Sequence, residues 1–170
     1  MNYKIKQIRF SKQNTKIAWD EVSPSGAIRN HVDTYEEAPV QAFREALQGL
    51  ALPICVINEY KHEEAGFIEV TGCTFTHGKS SDEGLKITII GKRKVALTNS
   101  PRNDTTPIFS LQLQNDDDGY NDFRTELNET ANLIMVYAEK FLEGDREIID
   151  QLNLFGGEDD GDDDNEPEED

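Results

Sequence analysis

The stretch YNDFRTELNETANLIMVYAEKFL, residues 120–142, places Phe123, Leu127, Ala131, Ile134, Ala138, Phe141 and Leu142 mostly three or four positions apart. At 3.6 residues per turn these side chains fall on one stripe, which predicts a long helix packed by one face against a core. Gly144 supplies the stop, because glycine accepts the left-handed conformation that closes helices. Asn115–Asp118 offer short polar side chains to cap its start. A helix with a single apolar stripe needs a broad partner, and upstream of it the period changes from 3.6 to 2.

Asn2–Phe10 alternates through Tyr3 and Ile5, then slips so that Ile8 and Phe10 share a side, which predicts a strand with an irregularity. Lys16–Val22 and Ala27–Tyr35 read as strands two and three, with Ser23-Pro24-Ser25-Gly26 as the turn between them. Val40, Phe43, Ala46, Leu47 and Leu50 then recur at helical spacing behind Pro39, and Pro53 closes that helix. Ile54–Tyr60 fits a strand or a continuing helix, and Lys61–Ala65 a loop. Phe67–His77 reads as a strand with a bulge at Gly72, and Leu85–Ile90 as another. Gly91–Lys94 reads as a turn or bulge and Val95–Thr98 as a continuation or partner. Asn99–Thr106 looks irregular, and Ile108–Gln114 alternates with Phe109, Leu111 and Leu113 inward. Meander, helix, meander, helix predicts an α+β fold, a mostly antiparallel sheet with two helices on one face. The repeated order also hints at a duplicated half, although the halves share no visible identity.

The 170 residues divide into a globular body, 1–150, a short connecting segment, 151–157, and an acidic run, 158–170. Of 34 acidic residues ten lie in that run, which leaves 24 against 17 Lys and Arg in residues 1–157, a net charge of −7. The run has no large apolar side chain and is expected to be disordered. A body this acidic repels phosphate backbones unless its bases cluster. Cys55 and Cys73 lie among apolar and β-forming neighbours, as buried free thiols do. No signal-like start and no long apolar run stand out, so a soluble cytoplasmic protein without membrane association is expected.

Catalytic and cofactor motifs are not evident. His31, His62 and His77 are scattered, and none stands at zinc-ligand spacing from a cysteine or a carboxylate pair. Reading Gly119 as the sixth position of a calcium loop puts Gln114 first and Thr125 twelfth, and both ends fail. Ser80-Ser81 has no base indicated beside it. The expectation is a non-enzymatic protein with no cofactor or metal. Lys86, Lys92, Arg93 and Lys94, with Phe67 and Phe75 in the neighbouring strand, form the one dense basic cluster, able to stack and neutralise nucleic acid. The competing expectation is a solvated hairpin with Phe75 in the core.

Gln151-Leu152-Asn153-Leu154-Phe155 follows the body and precedes Gly156-Gly157. It resembles the peptide by which bacterial replication and repair proteins bind the β sliding clamp, usually Gln-Leu-(Ser or Asp)-Leu-Phe, with Asn153 at the tolerant position. The resemblance implies that Gln151 bonds a polar corner of the clamp while Leu152, Leu154 and Phe155 fill an apolar pocket. An alternative is that these side chains dock the segment onto the body. The acidic run is similar to the tails of bacterial single-stranded-DNA-binding proteins, though it ends Glu166-Pro167-Glu168-Glu169-Asp170 without their short apolar tip. Phe43-x-x-Ala46-Leu47-x-x-Leu50 and Val70-Thr71-Gly72-x-Thr74-Phe75 loosely resemble small bacteriophage-encoded proteins. Together these imply a phage or mobile-element accessory protein of DNA replication or recombination that binds the clamp of its bacterial host. The alternatives are a single-stranded nucleic-acid binder regulated by its own tail, or an acidic mimic of DNA that inhibits a DNA-binding enzyme.

Overall fold

The computed structural model describes residues 2–80, 82–95, 97–115 and 118–146. The peptide at 151–155, the Gly156-Gly157 pair and the acidic run lie outside these. Strands β1 (Tyr3–Phe10), β2 (Thr15–Val22) and β3 (Ile28–Tyr35) form the first meander, followed by helices α1 (Gln41–Gln48) and α2 (Ala51–Ile57). After a 3-10 turn, His62–Phe67, come β4 (Ile68–Thr76), β5 (Lys86–Val95), β6 (Ser100–Thr105), β7 (Phe109–Ser110) and α3 (Asn121–Leu142). The strands make one antiparallel sheet in the order β3-β2-β1-β4-β5-β6, with β7 also on β5. Each meander thus contributes its first strand to the centre, and helices follow each meander, as the α+β reading expects.

The two meanders meet in a short seam. β1 and β4 share three register pairs, Gln7 with Thr74, Ile8 with Cys73 and Arg9 with Gly72. Both expected irregularities flank it, between Ile5 and Gln7 in β1 and between Val70 and Gly72 in β4. Beyond the seam on one side, His77 Nε2 donates to the Ile5 carbonyl at 2.7 Å. On the other side the strands part, and the Gln48 side chain from α1 stands in for a strand. Its amide donates to the Ile68 carbonyl at 2.8 Å and accepts from the Val70 N–H at 3.1 Å. Buried backbone groups left bare by the divergence are thereby paired, as buried polar groups must be.

On the helix side of the sheet, Ile17, Ile8, Cys73 and Ile89 stand opposite one another across four strands, each fully buried. All the stripe residues of α3 pack there except that Phe123 and Leu142 are only half-buried. Phe43 of α1 meets Phe10, Tyr137 and Phe141 at centroid distances of 5.0, 5.9 and 6.3 Å. The start of α3 is tied down by Arg124, itself buried, whose guanidinium makes two 2.7 Å bonds to Asp118 and lies over the Phe109 ring. Those bonds hold the Asp118 carboxyl down at about 2. Cys55 and Cys73 are buried free thiols, and burial pushes both thiols up.

Five local expectations need correction. Pro53 does not close the first helix; it occupies the third position of α2, where its missing N–H has no intrahelical partner to lose. In one continuous helix its ring would strike the Gly49 carbonyl, so the helix breaks at Gly49-Leu50 and the helices number three. Lys61–Ala65 is not simply loop, since most of it enters the 3-10 turn. β5 runs unbroken through Gly91 because α2 presses there: a Cβ on Gly91 would lie 2.8 Å from Ile54 Cδ1. Its partner is Ser100–Thr105, which tolerates Pro101 because β6 is an edge. The strand expected over 108–114 shortens to Phe109–Ser110; Leu111 is buried, Phe109 half-buried and Leu113 exposed.

The seam yields a direct test. A Cβ on Gly72 would lie 2.3 Å from the Ile8 carbonyl oxygen, so a side chain there forces β1 and β4 apart. Gly72→Ala is expected to cost about 3 kcal/mol, at the upper end of ordinary overpacking, lowering the urea midpoint without changing the slope. Gly66→Ala, with nothing within 4 Å, should stay within about 0.5 kcal/mol of the parent. Equal effects would remove the seam's special status.

Candidate nucleic-acid interface

Helices cover one face of the sheet and leave the other open. Alternation sorts the side chains: in β5, Ile87, Ile89 and Gly91 turn to the core, while Lys86, Thr88, Ile90, Lys92 and Lys94 turn to the open face. At the fork where β1 and β4 part, that face sinks into a groove of about 1200 Å³. Its floor is neutral and rich in hydroxyls, with Thr74, Thr88 and Thr105. Arg9, Lys12 and Lys16 line one side, Lys92 and Glu69 the other, and Arg44 and Gln48 of α1 its end. Two smaller depressions continue it. One shares Gln48, Glu69 and Lys92 and adds Phe67 and Lys94; the other shares Thr74 and adds Lys4, Lys6 and Asp20.

Among the described residues, these three depressions bring together eight Lys and Arg with two acids, in a chain of 17 bases and 34 acids. One acid, Asp20, pairs with Lys6 at 3.3 Å; the other, Glu69, stands opposite Lys92 in the register. Arg9 and Lys16 are directly opposed across the β1–β2 ladder. Like charges in that position oppose pairing, by something under about 1 kcal/mol, and an anion between them would reverse the sign. Basic rims over a floor of hydroxyl donors suit a chain of phosphates.

The basic cluster read from the sequence is divided by the sheet. Lys86, Lys92 and Lys94 are exposed on the open face, Lys92 in the groove, Lys94 in its extension, and Lys86 beyond them opposite Thr76 and Ser110. Arg93 points to the other side. It pairs there with Glu64 of the 3-10 turn and, at 3.2 Å, with the buried Asp104, and its guanidinium lies 4.8 Å from the Tyr60 ring centroid. Tyr60 in turn donates to Asp104 at 3.1 Å, and burial together with that bond pushes its hydroxyl up. Arg93 therefore holds the 3-10 turn against β5 and β6 and does not reach the groove. Phe75 is in the core, as the hairpin reading expected, whereas Phe67 is 63% exposed at the groove's extension.

Arg9, Lys12, Lys16 and Arg44 were not singled out from the sequence, because no two of them are neighbours in it. A signal existed for one pair. Arg9 and Lys16 are equidistant from the middle of the Ser11–Asn14 turn, and a hairpin places such residues opposite each other. Gln151, Leu152, Leu154 and Phe155 lie outside the described residues. His31 stacks on Trp19 at 4.9 Å, and among the described residues no group of three or more His, Cys, Asp or Glu is arranged to hold a metal ion. Among them, too, no helix is long and apolar enough to cross a membrane.

No family model matches the chain, and neither a curated protein nor a solved structure is significantly similar to it.

Proposed function

We propose that this is a non-enzymatic accessory protein of DNA replication or recombination, acting in the bacterial cytoplasm, whose body binds single-stranded nucleic acid along the open face of its sheet. The observation that supports this reading is the segregation of charge: among the described residues of an acidic chain, five basic side chains and a single acid, Glu69, line the groove. Phosphate neutralisation by Lys and Arg supplies most of the affinity of such sites and makes it salt-dependent. The acidic run at 158–170 competes for the same groove. From Arg146 to Asp170 the chain can span at most about 80 Å, enough to reach any part of a domain this size.

Titration of a labelled single-stranded oligonucleotide tests this. Binding should weaken with salt at a slope of about −3 in log–log form, as expected for four or five phosphate contacts. Lys16→Glu with Lys92→Glu should reduce affinity at least about tenfold and lower the slope by about one, while Lys16→Glu alone, which gives Arg9 an opposite charge across the ladder, should leave the melting temperature no lower than the parent's. Removal of residues 158–170 should raise affinity, most at low salt. Failure of both the full-length and the shortened protein to bind at low salt would refute the proposal.

A second reading, supported by the four matching positions of the 151–155 peptide, is that the protein docks on the host's β sliding clamp. Three apolar side chains burying about 1.5–3 kcal/mol each, less the cost of ordering the segment, give at best micromolar binding. The full chain should bind purified clamp in that range by calorimetry, and Leu154→Ala with Phe155→Ala should abolish the signal. Unchanged binding by that double variant would exclude the peptide as the contact.

A further inference from the structure

The depression that continues the groove has a lining that phosphate binding does not require. Phe67, the last residue of the 3-10 turn, is 63% exposed, although the next residue, Ile68, is buried. It shares a space of about 500 Å³ with Pro101, Asn99, Lys92 and Lys94. That volume lies within the range of small-ligand pockets, roughly 300–1,000 Å³. The two rings come from opposite sides, Phe67 from the approach to β4 and Pro101 from the edge strand β6. Asn99 holds a left-handed backbone, φ +52°, and its N–H bonds the Val95 carbonyl at 2.8 Å.

We infer that this depression is a nucleobase subsite, in which an unpaired base stacks on Phe67 beside Pro101, its edge facing the Asn99 amide and its phosphates on Lys92 and Lys94. The inference rests on the groove being a nucleic-acid site and specifies what that site selects. An aromatic ring stacks any base by its face, but only when that face is not already stacked in a duplex. An amide bonds base edges as donor and as acceptor. The two ammonium groups follow at alternate positions of one strand, and the space connects directly to the main groove through Lys92. The ligand class is therefore a single strand carrying bases, and neither a duplex nor a bare polyanion satisfies all of these groups.

Two oligonucleotides of equal length, one thymine-bearing and one abasic throughout, separate base from phosphate recognition in a titration of the full-length protein. Phe67→Ala should weaken binding of the thymine-bearing strand about 5- to 100-fold, the range for loss of one stacked base, and leave the abasic strand unchanged. Phe67→Trp should retain affinity, and its emission, measured above that of Trp19, should be quenched when the thymine-bearing strand binds. Equal affinities of the parent for the two strands, or equal losses on both with Phe67→Ala, would overturn the subsite while leaving the groove in place. Binding of neither strand by the parent would overturn the groove as well.

Discussion

Everything in this molecule hangs on the close approach of β1 and β4. The seam is three residue pairs long, and beyond it the two meanders are joined by the His77–Ile5 hydrogen bond and by the core beneath them. Its shortness follows from the two bulges beside it, each of which twists its strand and limits straight pairing. Its closeness requires Gly72, since any side chain there meets the Ile8 carbonyl. Where the seam ends the sheet forks, and the Gln48 amide satisfies the backbone that β1 no longer reaches. The groove is that fork seen from the open face. A structural constraint, the inability of two bulged strands to stay paired, thus produces the concavity on which the functional proposal depends.

The sheet divides its two faces by chemistry. The helix face holds the apolar row Ile17, Ile8, Cys73 and Ile89, together with polar groups that are paired inward, among them Arg93 with Glu64 and Asp104. Among the described residues lining the main groove on the open face, Glu69 is the single acid beside five bases, and Arg9 stands against Lys16. On the proposed reading, the acidic run at 158–170 is a competitor of the right sign attached to the same chain.

Features that follow from local pattern were legible in the sequence, and features that follow from tertiary context were not. The slip between Ile5 and Ile8, the glycine at position 72 and the stripe from Phe123 to Leu142 announce themselves, because alternation and helical period depend on neighbours alone. β6 was missed because Pro101, Asn103 and Asp104 are poor strand formers, held in place by the ladder to β5. Reading Gly91–Lys94 as a turn hid a further consequence: in a strand the middle of three consecutive bases must face away from the other two, which is the fate of Arg93. The fork was beyond reach, since it assembles residues from β1, β2, α1 and β4, and only the Arg9–Lys16 pair left a trace in the hairpin spacing. The peptide at 151–155 remains a reading of sequence alone.

The central claim is that a single nucleic-acid strand lies along the open face of the sheet, and photocrosslinking tests it most directly. A single-stranded oligonucleotide carrying photoreactive thymine, irradiated with the full-length protein at low salt, leaves covalent adducts that mass spectrometry assigns to residues. Adducts should fall on the open face, on Phe67 and on peptides bearing Arg9, Lys16 and Lys92, and should fade as salt rises. Adducts confined to the helix face, or none at a concentration that saturates binding, would contradict it.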